Sequence, residues 1–215
     1  MPGEVNRGAP LGEALHELAK LPEVTKCLEI GMGNGEGSTL CIAQGLAESG
    51  GELWTLEMRG DCFQSASAFY EGKGLPVHLV HGLALSVDDY PGVDSLAPEF
   101  STTSIERDNP GIFRQWYVDE LAVAAAAGAA GALAPLIAHE APFDLVFLDG
   151  SEFTSPVEFK VLEPHIRRYL VLDDSNGAIC IKNAVVREWT TESPRWRVLE
   201  DRLDDRHGWY VAERA

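Results

Sequence analysis

Four groups of residues in this 215-residue chain have types and spacings that could do chemistry. The first is Glu29-x-Gly31-x-Gly33-x-Gly35, which follows the apolar run Cys27 to Ile30 and leads into Ser38-Thr39. Glycine has no Cβ, so alternate glycines let a backbone turn sharply and come close to a bound ligand. Such a strand–glycine turn–helix start reads as a nucleotide-cofactor loop. The second group is Glu57, at the end of Leu53-Trp54-Thr55-Leu56, where a carboxylate can accept hydrogen bonds from both hydroxyls of a ribose. The third is Asp149-Gly150-Ser151-Glu152, after the apolar Phe143 to Leu148, and the fourth is Asp173-Asp174, after Tyr169 to Leu172. Three carboxylates at adjacent strand ends would suit Mg²⁺, a hard ion that prefers oxygen ligands.

The glycine spacing separates two cofactor classes. The dinucleotide fingerprint Gly-x-Gly-x-x-Gly, begun at Gly31, puts Glu36 where its third glycine belongs, and a pyrophosphate would meet that carboxylate. Acidic-x-Gly-x-Gly-x-Gly fits instead, and here it resembles motif I of the class I S-adenosylmethionine (SAM) dependent methyltransferases, with Glu29, Gly31, Gly33 and Gly35 on the family positions. Asp149-Gly150 resembles the segment after strand four in a branch of small-molecule and sugar O-methyltransferases. Asp173-Asp174 resembles the paired aspartates after strand five in metal-dependent members. The resemblance runs from about Thr25 to the final strand.

This resemblance implies methyl transfer from SAM to a hydroxyl of a small molecule, a sugar or natural product. It implies cofactor contacts from Glu29, Gly31, Gly33, Gly35, Glu57, Gly82, Leu83 and Asp149, metal contacts from Asp149, Asp173 and Asp174, and catalytic roles for Asp149 and Glu152. A bound Mg²⁺ would lower the pKa of the acceptor hydroxyl and aim its oxygen at the methyl group. The chain departs from the family pattern in two places. His81-Gly82-Leu83-Ala84 stands where many relatives have an acidic residue for the adenine, which leaves that contact to backbone at Leu83, and Glu152 stands where many carry histidine. Strand-end acids also cap turns and helices, so capping stays open beside metal binding for Asp173 and Asp174. Other readings are a NAD-dependent oxidoreductase, a noncatalytic or cofactor-sensing member of the fold, and an iron oxygenase. Iron sites of that kind usually combine two histidines with a carboxylate, and only His81 lies near the expected strand ends. His139, His165 and His207 each stand alone and read as surface or packing residues.

The elements that must position these groups follow from periodicity. Leu11, Leu15, Leu18 and Leu21 have the rhythm of an amphipathic helix. Strands are expected at 25–30, 53–56, 77–81, 143–148 and 169–172, with helices over 38–48, 62–71, 113–139 and 157–167 between them. The long helix is expected to bend at Gly128, Gly131 or Pro135. Arg195 to Glu200 and Trp209 to Glu213 are expected to form a closing antiparallel pair. The alternation predicts an α/β, doubly wound, mostly parallel Rossmann-like sheet, with ligands at the strand C-terminal ends. Residues 1–24 read as an N-terminal helical segment and 25–215 as one domain, with a lid or substrate loop at 82–112, where prolines and glycines erase the periodicity.

Composition narrows the partners. A net charge of −17, from 34 acidic and 17 basic residues, disfavours nucleic acid and anionic membranes, both of which are gripped by Lys and Arg. Cys27, Cys41, Cys62 and Cys180 form no metal-spaced pair and read as reduced residues. No signal-like start or membrane-length apolar run is present, so a cytoplasmic location is expected, with a homo-oligomer left open.

Overall fold

The computed structural model describes residues 5–127 and 130–215. Seven strands form one sheet: β1 (Lys26–Ile30), β2 (Glu52–Glu57), β3 (Val77–His81), β4 (Phe143–Leu148), β5 (Ile166–Asp173), β6 (Trp196–Arg202) and β7 (Trp209–Arg214). Their order is β3-β2-β1-β4-β5-β7-β6. The first five are parallel, and β7 joins β5 and β6 antiparallel. This is the expected doubly wound sheet, with its direction of winding reversing between β1 and β4.

Alternation along the strands sorts the core into two faces. Leu28, Ile30, Leu56, Val146, Leu148, Leu170 and Leu172 pack on one side, while Cys27, Leu53, Leu145, Phe147, Tyr169 and Val171 pack on the other. Successive strand side chains point to opposite faces, so covering both requires helices on both. The second face is closed by α1 (Pro10–Ala19) and α2 (Ser38–Ser49), through Leu11, Leu15, Ile42 and Leu46. The first is closed by residues of α7 (Leu133–Glu140), α8 (Ser155–Leu162) and α9 (Ala184–Glu192), including Leu133, Phe159, Leu162 and Val186. α3 (Gly60–Tyr70) connects β2 to β3. At the N-terminal end of the sheet the buried Asp144 accepts hydrogen bonds from the backbone N–H groups of Thr25 and Lys26, the Thr25 hydroxyl and Arg167. That ties β1 to β4.

Four stretches differ from expectation. The aperiodic segment holds a 3-10 turn at Val87–Asp89, then α4 (Val93–Phe100) and α5 (Ser104–Asp108), helices too short to print a period on the sequence. The long helix divides into α6 (Ile112–Ala127) and α7. Gly131 lies in the break, where an added Cβ would stand 2.8 Å from the Leu85 backbone, whereas Pro135 sits in the first turn of α7, which tolerates proline. The expected bend at Gly128 lies outside the described residues, as do the first four residues of the N-terminal segment. The helix expected over 157–167 stops at Leu162, because Pro164 follows, and β5 begins at Ile166. α9 had no expectation at all; Val185, Val186, Thr190 and Thr191 are β-branched, poor helix formers that conceal it.

A third apolar cluster stands above the sheet edge. Phe100, Phe113 and Tyr117, from α4 and α6, pack on Phe153 and Ile181, which follow β4 and β5. The 82–127 insertion therefore has its own small core, seated on the loops that carry the acidic residues. Among the described residues no helix is long and apolar enough to cross a membrane.

Candidate active site

Register places the polar strand ends together. Ile30 pairs with both Leu56 and Leu148, Glu57 with His81, and Leu148 with Leu172, so Gly31, Glu57, Asp149 and Asp173 leave the sheet at one level. They open onto a cavity of about 420 Å³, within the usual size range of ligand pockets. Gly31, Gly33, Glu57, Gly82, Asp149, Asp173 and Asp174 line it. Glu29, Gly35, Leu83 and Glu152 do not.

The glycine loop is held from below and from the side. Glu29 is fully buried and accepts hydrogen bonds from the Ser38, Thr39 and Thr55 hydroxyls at 2.6–2.7 Å. Burial raises its pKa while those three hydroxyls oppose the rise. Its work is to anchor the loop to α2 and β2. Gly31 has φ +97°, and a Cβ there would lie 2.2 Å from the Asp149 carbonyl oxygen, so this crossing of β1 and β4 admits only glycine. Gly33 has φ +57° with open space around its missing Cβ. Its N–H donates to Glu57 Oε2 at 2.7 Å, and the Arg59 N–H donates to Glu57 Oε1 at 2.8 Å. Gly35, also at positive φ, packs on Tyr70, whose hydroxyl donates to the Gly35 carbonyl.

Gly82 lines the far wall, and its N–H bonds the Glu57 carbonyl at 3.0 Å. Leu83 is buried, and its carbonyl accepts from the Ala132 N–H at 2.7 Å. That wall also carries Met58, Arg59, Cys62, Leu85 and Tyr90, none singled out by sequence for this site.

The acidic end holds a residue that sequence reasoning missed. Lys182 Nζ lies 2.5 Å from Asp149 Oδ1 and 3.0 Å from Asp174 Oδ2. Arg206 donates to Asp173 Oδ2 at 3.0 Å, and His207 Nδ1, from a histidine read as solitary, is 3.3 Å from Asp174 Oδ1. Burial works against the Lys182 charge, but Asp149 and Asp174 outweigh it and keep the ammonium protonated. Burial pushes the Asp149 carboxyl above the usual range; Lys182 pulls it back, and Asp173 and Asp174 add to the rise. For Asp174 burial is outweighed by Lys182, and its carboxyl is held below the usual range. Asp174 itself has φ +49°, a conformation uncommon for non-glycine residues that aspartate tolerates better than most.

Oxygens of Asp149, Asp173 and Asp174 lie within 4.8 Å of one another, a spacing that could hold a metal ion. The donor set suits a hard cation. The ammonium of Lys182, however, already holds two of the three carboxylates, so the residues present do not fit an added divalent ion. A lone basic residue directly after the apolar run Ala178-Ile179-Cys180-Ile181 was the signal that could have found it, since buried lysine is nearly always paired.

Glu152, expected to be catalytic, does not line the cavity and accepts the backbone N–H groups of Ile181 and Lys182 at 2.8 and 3.2 Å. Burial raises its pKa to about 7. Ser151, which does line the cavity, donates to Glu120, which lies near Tyr90, and Glu158 reaches the cavity from α8. Glu158 is 2% exposed, accepts from the Thr154 hydroxyl through Oε1, and is pushed to about 7 by burial.

No protein-family model matches this sequence, and no curated protein matches it significantly. Solved structures do resemble it. An O-methyltransferase from Bacillus cereus in complex with S-adenosylhomocysteine (SAH) superposes with a TM-score of 0.60 at 19% identity, covering 100% of this chain and 84% of the other. TomG, an O-methyltransferase from Streptomyces achromogenes involved in tomaymycin synthesis and crystallised with SAM, gives 0.59 at 20%, covering 96% and 80%. An SAH-bound methyltransferase from Podospora anserina gives 0.57 at 18%, covering 95% and 78%. At these identities the likeness establishes the fold: a Rossmann-like methyltransferase fold with antiparallel C-terminal strands.

Proposed function

We propose that this chain is a SAM-dependent O-methyltransferase acting on a hydroxyl of a small molecule. One observation carries the proposal: the glycine loop, Glu57 and the strand-end carboxylates open onto a single cavity. The three solved structures described above are methyltransferases holding SAM or SAH, which supports the same reading. SAM, when bound, supplies a methyl group on a sulfonium.

The chain's own residues divide the remaining work. Glu57 accepts hydrogen bonds from ribose hydroxyls with the lone pairs left by Gly33 and Arg59. Gly31 and Gly33 bring backbone against the cofactor without a side chain between, and Gly82 does the same on the adenine side. Asp149 lines the cavity and accepts a proton from the acceptor hydroxyl, its basicity tuned by burial and by Lys182. Phe100, Phe113 and Tyr117 cover the carboxylate end and limit water. Methyl transfer is an in-line displacement, so holding the acceptor oxygen in place is much of the catalysis.

A sugar or natural-product hydroxyl remains the acceptor class that the resemblance favours. Mg²⁺ assistance is not part of the proposal, because Lys182 holds the carboxylates that the ion would need. The test is transfer of isotopically labelled methyl from SAM to a panel of sugars, phenols and polyols, read by mass spectrometry. Label appearing on an acceptor oxygen supports the reading; SAM that binds and is never turned over with any acceptor would point to the cofactor-sensing alternative.

A further inference from the structure

We infer that Lys182 is a built-in cation that takes the place of a divalent metal at the strand-end carboxylates, so that transfer at this site runs without a metal ion. The role in transfer rests on the methyltransferase reading; the occupancy of the triad rests on geometry alone.

Three observations carry it. First, the ammonium and a metal would compete for the same atoms. Lys182 Nζ is within 3.0 Å of oxygens from Asp149 and Asp174, two of the three residues whose oxygens cluster within 4.8 Å. Mg²⁺ requires oxygens at about 2.0–2.1 Å in near-octahedral array, which leaves no room for an ammonium between them.

Second, the protein already offsets most of the carboxylate charge. Asp149, Asp173 and Asp174 face Lys182 and Arg206, with His207 beside Asp174. A divalent ion would add two charges to a cluster that already contains two permanent cations.

Third, the position of Lys182 is fixed by its neighbours. Its N–H and that of Ile181 are bound by Glu152. The Asn183 side chain bridges the carbonyls of Leu148 and Asp173, the last residue of β4 and of β5, at 2.9 and 2.7 Å. The Asn183 N–H also reaches the Asp174 carbonyl. Lys182 is 8% exposed, so swinging it out would strand an ammonium away from its partners and leave the carboxylates unmatched. It does not line the cavity. Lys182 is therefore a positioning residue, holding Asp149 by one oxygen while that carboxylate faces the ligand space.

The test uses the full chain, stripped with chelator and titrated with Mn²⁺ by electron paramagnetic resonance, with SAH titrated in parallel by calorimetry. The wild type and Lys182→Arg should take up no stoichiometric Mn²⁺ up to about 1 mM, and Lys182→Met should gain one site at least about tenfold tighter. Adding Asp149→Asn to Lys182→Met should remove that site. One tightly bound Mn²⁺ in the wild type, lost on Asp149→Asn, would overturn the inference even if Lys182→Met fails to fold. A folded Lys182→Met that binds no Mn²⁺ would overturn it too, because Lys182 would then not be what excludes the ion. Loss of SAH binding in every protein, wild type included, would sink the methyltransferase reading and leave the Mn²⁺ result to decide the occupancy.

Discussion

The backbone N–H of Gly33 donates a 2.7 Å hydrogen bond to Oε2 of Glu57, so the last residue of β2 props the loop that follows β1. One carboxylate thus serves the fold and faces the cavity at once. Glu57→Ala removes both functions. SAH affinity should fall about 10–100-fold by calorimetry, since hydrogen bonds to a charged group contribute about 1.5–3 kcal/mol. Glu57→Gln, which keeps one acceptor, should lose less. Unchanged affinity in the alanine variant would mean that the cofactor does not lie over β2.

The glycines of the loop should respond unequally to a methyl group. Gly31→Ala forces a Cβ to 2.2 Å from the Asp149 carbonyl as well as straining φ, and thermal unfolding should show a loss of more than about 3 kcal/mol. Gly33→Ala meets nothing within 4 Å and should lose only the left-handed penalty, about 1 kcal/mol. Equal losses would mean that the β1–β4 crossing is looser than described.

Glu158 should make stability depend on pH. Burial raises its carboxyl to about 7, above the ordinary value, so the folded state holds the proton more tightly than the unfolded chain. From this group stability is greatest below about pH 4.5, falls as pH rises, and has lost on the order of 3 kcal/mol once pH passes about 7. Glu158→Gln removes the dependence. Its stability relative to wild type should rise between about pH 5 and pH 8 in denaturant titrations; a constant difference would show that Glu158 does not titrate in this window.

Glu152 separates a clamp from a base. Its Oε1 accepts two backbone N–H groups, which a glutamine carbonyl oxygen can also do. Glu152→Gln should therefore keep turnover within about threefold, whereas loss of a general base costs about 10²–10⁴-fold. A drop of that size would restore the catalytic role that the sequence suggested.

What the sequence disclosed and what it hid have physical causes. Glu29, the alternating glycines, Glu57 and the aspartates at 149, 173 and 174 belong to short segments next to buried strands, where two-residue alternation and turn chemistry are local signals. The sheet and its ligand edge followed from them. Lys182 and Arg206 were not legible, because their partners are brought to them by β5, β7 and the intervening turns rather than by spacing along the chain. The same holds for α4 and α5, whose stability comes from Phe100 and Ile105 packing with residues of α6 and with Phe153 and Ile181. Glu29 was visible as an acid, but its three hydroxyl partners, Ser38, Thr39 and Thr55, were not, because two lie in the following helix and one in the neighbouring strand.

Calorimetric titration of the wild-type chain with SAH, and separately with NADH, tests the central claim most directly. The account predicts one SAH site with a dissociation constant on the order of micromolar and no heat from NADH beyond dilution. Binding of NADH without SAH would contradict it, and the glycine loop would then have to be reassigned to a dinucleotide despite Glu36.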